Sequence, residues 1–418
     1  MDMTVPEQSL FASSGEMSME LYDRRDRSPI VGALVTVYRA SDGAEIASYV
    51  SNEAGQIPEL RLQAPPLEYS LESQAVGMPY SQYNIVVEAE GYERLELTDA
   101  EVLPDQLSLQ PLPMTPRGEE PEITKEIVVP GNTLFVPSTP KTPETEVKPV
   151  TETGEIVLSR VVIPEYVIVH DGVPSDSSAQ NYYVTYPDYI KNVASSEIYA
   201  TWPDAAIRAN VLAIMSFTLN RVYTEWYRGK GYDFTITSST AYDQKWSYGR
   251  TIFESISQVV DEMYTNYLSR PNVKQPILTQ YCDGKNVRCP NWLSQWGSKE
   301  LADQGLRTIE IIRYYYGNNM FINTAEEISG IPTSWPGELS IGSSGSKVRQ
   351  LQEQLNAIAR NYPAIPRVSE DGIYGPLTAE SVRVFQSVFG LPVTGVVDYR
   401  TWYKISQIYV GVTGIAEL

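Results

Sequence analysis

The chain is poor in the residues that most often build metal and nucleophile sites. In 418 residues it has two cysteines, Cys282 and Cys289, and a single histidine, His170. Structural zinc wants about four Cys or His ligands, so no metal centre is expected and no cofactor is called for. Ser-His-Asp and Cys-His chemistry would each depend on His170. That residue lies in the strand-like run EYVIVHDG and reads as structural. The two cysteines, in YCDGKNVRCP, form either a local disulfide or two free thiols. No run of about 18 apolar residues occurs, so no membrane span is expected. The start, MDMTVPEQSLFASSGEMSME, lacks the basic and apolar regions of a secretory signal. Basic surface is scarce as well: 52 acids against 32 bases give a net charge of −20. No nucleic-acid partner is expected from such a balance. The acidity is uneven, with 25 acids and 10 bases in residues 1–150 and 27 and 22 in the rest.

What is present divides the chain into four stretches, and a multidomain α+β protein is expected. Residues 1–112 alternate apolar and polar positions, as in GEMSMELYD and YNIVVEAEGYERLEL, with Gly and Asp turns between. Period two with that punctuation predicts a small β-sandwich. Residues 113–160 are a linker, and nine prolines fall from Pro111, just before it, to Pro149. Its later part, VPSTPKTPETEVKPVTETGE, is expected to be extended and exposed, a natural protease target. Residues 161–335 read as mixed α/β. Asp188 is a candidate cap for a helix through residue 197, and Asp204 for a long helix ended by Gly229. PILTQYC reads as a strand and FESISQVVDEMYTNYL as an amphipathic helix. Residues 336–418 space Val348, Leu351, Leu355 and Ile358, then Val382, Phe385 and Phe389, at helical intervals, which predicts a small helical bundle.

One acid stands out. In NVASSEIYATWP, Ile190, Val193, Ala194 and Glu197 follow the i, i+3, i+4, i+7 pattern of one helix face. Glu197 thus shares the inward stripe. A buried, unpaired carboxylate raises its pKa and holds a proton, which is what a general acid needs at neutral pH. A structural alternative is a Glu neutralised by a neighbouring base.

Three stretches resemble known families. The text GALVTVY…SNEAGQI…IVVEAEGY resembles carboxypeptidase regulatory-like and transthyretin-like domains. The run GSSGSKVRQLQEQL, DGIYGPLTAESVRVFQ, GLPVTGVVDYRTW resembles the peptidoglycan-binding domain type 1, which implies binding to wall glycan. The middle stretch resembles the SpoIID/LytB family in four pieces: YIKNVASSEIYATWP, AAIRANVLAIMSFTLNR, SSTAYDQKWSYG and LSQWGSKELADQGLRTIEIIRYYYG. The family's catalytic Glu falls on Glu197. Two departures are visible: the SSTAYDQ loop lacks the Cys and His zinc ligands of related members, and Met215 stands where many have Arg. The whole arrangement is similar to the clostridial spore cortex-lytic enzymes.

The resemblance implies a lytic transglycosylase stored in the dormant spore, at or near the cortex or coat, as an inactive precursor. It also implies cortex peptidoglycan as substrate and a subtilisin-like germination protease that removes the N-terminal part. Synthesis in the mother cell without a signal peptide fits that picture. Glu197 would act as acid and then base at the bond between N-acetylmuramic acid and N-acetylglucosamine, giving a 1,6-anhydro product. Ser294, Gln295, Lys191, Thr240 and Gln244 are the candidate substrate-binding residues. Ser294 and Gln295 either bond sugar, orient Glu197, or serve as a cap and packing turn. Two other functions fit the same stretches: a non-catalytic wall-binding amidase enhancer, and a muramidase-type endolysin.

Overall fold

The N-terminal alternation becomes two sheets packed face to face. A computed structural model of the chain describes residues 13–25, 27–118, 124–136, 139–145, 161–273, 275–325, 327–328, 331–332 and 336–413. Strands β1 (Ser13–Asp23), β2 (Leu34–Arg39), β3 (Glu45–Val50) and β4 (Gln56–Ala64) come first. A single helical turn, α1 (Glu68–Leu71), precedes β5 (Ser81–Glu88), β6 (Arg94–Val102), β7 (Leu107–Met114) and β8 (Thr124–Val128). One sheet contains β7, β1 and β4; the other runs β3-β2-β5-β6-β8. Met17, Met19 and Leu21 on alternate positions of β1 meet Val35, Val37, Ile85, Val87 and Leu97 of the second sheet. This is the pleat's period of two expressed as a core.

The middle unit follows with β9 (Val162–Ile163), β10 (Tyr166–His170), β11 (Asn181–Thr185), α2 (Tyr186–Glu197) and α3 (Asp204–Tyr223). Then come β12 (Ile236–Thr237), β13 (Ile252–Phe253), α4 (Glu254–Met263), β14 (Asn266–Ser269), β15 (Tyr281–Cys282) and β16 (Leu293–Ser294). Helices α5 (Gln295–Asp303) and α6 (Thr308–Tyr316) follow, and β17 (Phe321–Thr324), β18 (Glu327–Ile328) and β19 (Ile331–Pro332) close it, β17 pairing with β14 and β18 with β9. Several boundaries differ from those read in the sequence. Thr185 caps α2, its side chain accepting the Asp188 N–H, because Pro187 fixes the first turn and leaves Asp188 inside the helix. Asp188 instead pairs with Arg27 at 3.1 Å. Pro203 occupies the N-cap of α3, and the helix ends at Tyr223 rather than at Gly229. FESISQVVDEMYTNYL splits into α4 and β14, and PILTQYC keeps only Tyr281–Cys282 as strand.

Helix α2 is buried nearly all round, not on one stripe: Lys191, Asn192, Ser195 and Ser196 are buried beside the apolar positions. The cause is α4, whose Asp261 pairs with Lys191, together with β13 and the Ser247 loop, which bonds Asn192 on the same side. Strand β13 extends the sandwich's first sheet, pairing Ile252 with Leu109 and Phe253 with Ser108 of β7. Glu101 of β6 grips the Arg250 guanidinium at 2.5 and 3.1 Å, and Arg250 also donates to the Ser195 carbonyl at 2.7 Å. The linker joins this contact. Ile127 and Val129 enter the sandwich core, and Asn132 donates to the carbonyls of Ser195 and Ile198. An activation cut is expected within 113–160; residues 119–123, 137–138 and 146–160 of that range lie outside the described residues.

The C-terminal unit packs α7 (Ser346–Ile358), α8 (Pro376–Val388) and α9 (Tyr399–Thr413). Val348, Leu351, Leu355, Ile358, Val382 and Phe385 are fully buried, as the spacing predicts. The unit touches both others: Gln56 donates to the Val388 carbonyl at 2.9 Å, and Tyr264 to that of Tyr403 at 3.0 Å. No helix among the described residues is long and apolar enough to cross a membrane.

Candidate functional site

Glu197 is the last residue of α2, which stops because Ile198 turns extended ahead of the TWP break. Its side chain is 3% exposed. One carboxyl oxygen, Oε1, accepts the Lys245 N–H at 2.7 Å. Oε2 is buried and makes no hydrogen bond of good geometry among the described residues. The 245–247 loop is held in place by Asn192, which donates to the Ser247 carbonyl at 2.8 Å and accepts the Ser247 N–H at 3.0 Å. Burial pushes the Glu197 pKa up from the ordinary carboxylate value. The Lys141 ammonium, the Lys245 N–H and the nearby Tyr281 hydroxyl pull the other way without overcoming it. The result is a carboxyl placed to hold a proton, with one oxygen bound to the Lys245 N–H and the other buried near the Tyr281 hydroxyl.

A second acid in the same unit is treated in the opposite way. Asp243 is fully buried, and both of its oxygens are bound. It accepts from Arg221 Nε at 2.7 Å, the Tyr227 hydroxyl at 2.6 Å, and both the N–H and the hydroxyl of Thr237 at 2.9 and 2.7 Å. Arg221, also fully buried, donates to the Tyr242 carbonyl at 3.0 Å and lies over Phe217 and Trp226.

The residues picked from the sequence are scattered around this pair. Gln244 is buried and its amide is spent: Oε1 accepts Tyr189 and Thr218, while Nε2 donates to the Ile214 carbonyl and to the Tyr281 hydroxyl at 3.2 Å. It is therefore a support for Tyr281, not a ligand contact. Lys191 is not brought to Glu197; it is buried in a 2.7 Å ion pair with Asp261, because six helical residues turn it away. Thr240 is half-buried in the turn that precedes Asp243. Ser294 caps α5, accepting the Gly297 N–H at 3.0 Å, and Gln295 is buried at the start of that helix. The β15–β16 pairing sets Cys282 beside Ser294 and carries the chain from Tyr281 to a polar pocket of about 540 Å³. Lys285, Arg288, Trp292, Ser294, Tyr314 and Tyr315 line it. Of the three consecutive tyrosines Tyr314, Tyr315 and Tyr316, only Tyr316 is buried; Tyr314 is 68% exposed. Cys282 and Cys289 form a disulfide at the pocket's edge. His170 bonds Asn181 at 2.8 Å and stacks on Phe234, a structural placement. Among the described residues no three His, Cys, Asp or Glu converge as a metal site.

Sequence reasoning missed the parts that come from the linker. Lys141 and Glu144 sit beside Pro140 and Pro143, which favour an extended backbone. A three-residue spacing matches the three-per-turn period of such a chain and sets both side chains inward. Thr142 donates to the Ala241 carbonyl at 2.7 Å and accepts from Gln280 at 3.0 Å. Lys141 donates to the Asp243 carbonyl and lies 4.2 Å from the centre of the Tyr281 ring. Glu144 takes both terminal nitrogens of Arg221, at 2.9 and 2.7 Å. Nothing local in PKTPET signals this; the signal lies in Arg221 and Tyr281, far along the chain.

Comparison with known proteins bears on the last unit. Residues 344–405 match a family model described as "Putative peptidoglycan binding domain". A zinc D-Ala-D-Ala carboxypeptidase of Streptomyces albus G is 41% identical over 76 residues, 18% of this chain. The chain spans 28% of that relative's length. Among solved structures, the SleB N-terminal domain is 29% identical, covering 18% of this chain and 96% of its own, with a TM-score of 0.16. The Klebsiella pneumoniae 5-hydroxyisourate hydrolase is 18% identical, covering 25% and 92%, with a TM-score of 0.17. The C-terminal unit is thus similar to peptidoglycan-binding domains, which relates the chain to peptidoglycan.

Proposed function

We propose that the chain is the inactive precursor of a spore cortex peptidoglycan-lytic transglycosylase, of the SleC type that its sequence resembles. A subtilisin-like germination protease would release the activity by cutting the linker, and the protein would reside in the dormant spore near its cortex. The observation that carries the reading is the Glu197 carboxyl: buried, raised in pKa, bound through Oε1 to one backbone N–H and without a well-formed hydrogen bond at Oε2. The C-terminal peptidoglycan-binding domain supplies the substrate class.

In this reading Glu197 gives its proton to the glycosidic oxygen as the bond to the muramoyl C1 breaks. The carboxylate left behind takes the proton of the muramoyl C6 hydroxyl. That oxygen closes on C1, and no water is consumed. Such acid–base help is worth roughly 10²–10⁴ in rate. Hydrolysis needs a second carboxylate beside the bond. Asp243 does not qualify, because four donors, Arg221 among them, occupy it, and that supports a single-acid mechanism.

The test incubates full-length protein, intact and cut in the linker, with cortex peptidoglycan and weighs the soluble fragments. Anhydro-muramoyl ends are expected from the cut wild type, with Glu197→Gln lowering their yield by about 10²–10⁴. Reducing ends that have gained water would replace this reading by a muramidase. No fragments at all would leave a wall-binding enhancer.

A further inference from the structure

The Arg221 site has the form of a receptor holding a surrogate ligand. Its guanidinium is anchored from behind by Asp243 at Nε and the Tyr242 carbonyl, and is stacked among Phe217 and Trp226. Its outer edge presents Nη1 and Nη2 together, and the Glu144 carboxylate meets both. This two-pronged match of fork and carboxylate is the strongest recognition geometry an arginine offers. Arg221 is fully buried, whereas the Glu144 side chain keeps 16% exposure and belongs to the linker. The receptor half therefore belongs to the middle unit, and the occupant arrives from outside it. Lys141, three residues earlier on the same segment, lies within charge range of Glu197, Asp243 and Arg221 together. One short segment thus joins the Arg221 edge to the surroundings of Glu197.

We propose that the outer edge of Arg221 is a carboxylate-binding subsite of the Glu197 cleft, filled in cis by Glu144 and in trans by a carboxylate of the peptidoglycan strand. This rests on the reading of Glu197 as the centre of a glycan cleft. The strand offers such groups from two sources: the stem peptide, and the muramoyl lactyl group where no peptide is attached to it as an amide. Glu144 competes from within the chain, where its effective concentration is on the order of millimolar. When it leaves, Nη1 loses its acceptor and Nη2 keeps only the Tyr242 carbonyl, and an incoming carboxylate restores both bonds. A neutral sugar hydroxyl does not replace that charge.

The test measures binding rather than turnover, in full-length Glu197→Gln protein so that no ligand is consumed. The probe is a soluble disaccharide–peptide released from peptidoglycan, titrated by calorimetry. Adding Glu144→Gln is expected to tighten binding about tenfold, the scale of one charge-assisted pair. Amidating the probe's carboxylates should abolish the gain, and Arg221→Lys, which keeps charge but loses the fork, should reverse most of it. A peptide-free muramoyl disaccharide that shows the same gain would assign the site to the lactyl group; one that shows none would assign it to the stem peptide. The proposal fails if Glu144→Gln binds no tighter, or if the amidated probe gains equally. The amidated probe keeps the test decisive even if Arg221→Lys does not fold. Because the readout is affinity, absence of anhydro ends in the cleavage experiment would sink the transglycosylase reading and leave this result standing.

Discussion

Glu197 and Asp243 are both buried acids of one unit, and they are opposite in design. Asp243 has four donors, one of them an arginine, so its charge is fully met. Glu197 has one backbone N–H on Oε1, while its Oε2 is buried near the Tyr281 hydroxyl without a well-formed hydrogen bond. A saturated acid holds structure together; an under-satisfied one costs stability and is kept where chemistry needs it. Burial is equal in the two cases, so burial does not separate them. The number of donors does.

That contrast can be broken by substitution. The largest effect on stability is expected at Asp243: Asp243→Ala leaves Arg221 buried beside empty acceptor positions and should cost about 3–5 kcal/mol in urea unfolding. Glu197→Gln, with the same shape and no ion pair to lose, should change the same measurement by less than ~1 kcal/mol. Equal losses would erase the distinction. Next in size is Ser294→Ala, which removes the α5 cap and should cost about 1 kcal/mol; a change in muropeptide affinity without that loss would mark Ser294 as a sugar contact instead.

The smallest expected effect concerns protons. The Lys141 ammonium lowers the Glu197 pKa against the upward push of burial. Lys141→Met should therefore move the Glu197 titration to higher pH, followed by the carboxyl carbon signal in ¹³C NMR. The same raised pKa bears on stability. A folded-state value above the unfolded 4.5 means that folding favours the protonated form. Stability from this group is thus greatest below pH 4.5 and declines as pH rises through the folded-state pKa. An unmoved or downward-shifted signal in Lys141→Met would show that Lys141 does not reach Glu197.

Much of the fold was legible because local patterns caused it. The alternation of Met17, Met19 and Leu21 is a sheet facing a core, and Val348 to Ile358 is a helix facing one. Glu197 was legible as an inward acid for the same reason. The rest was not, because it depends on chain segments far apart. The pocketing of Glu197 is completed by Lys245, Tyr281 and Lys141, and no spacing rule links those positions. Gln244 looked like a ligand contact because its polarity is visible in sequence and its four partners are not. PKTPET looked like a spacer because proline signals an extended chain and says nothing about what that chain lies against.

Strand β13 belongs to the middle unit by sequence and to the N-terminal sheet by hydrogen bonding. With the Glu101–Arg250 pair and the Arg250 bond to Ser195, it ties the sandwich to the back of the helix that ends in Glu197. A single cut in the linker severs none of these bonds. The two fragments then separate at a rate set by how long that interface survives. Scission would start a clock, and the lifetime of one borrowed strand would determine how long it runs.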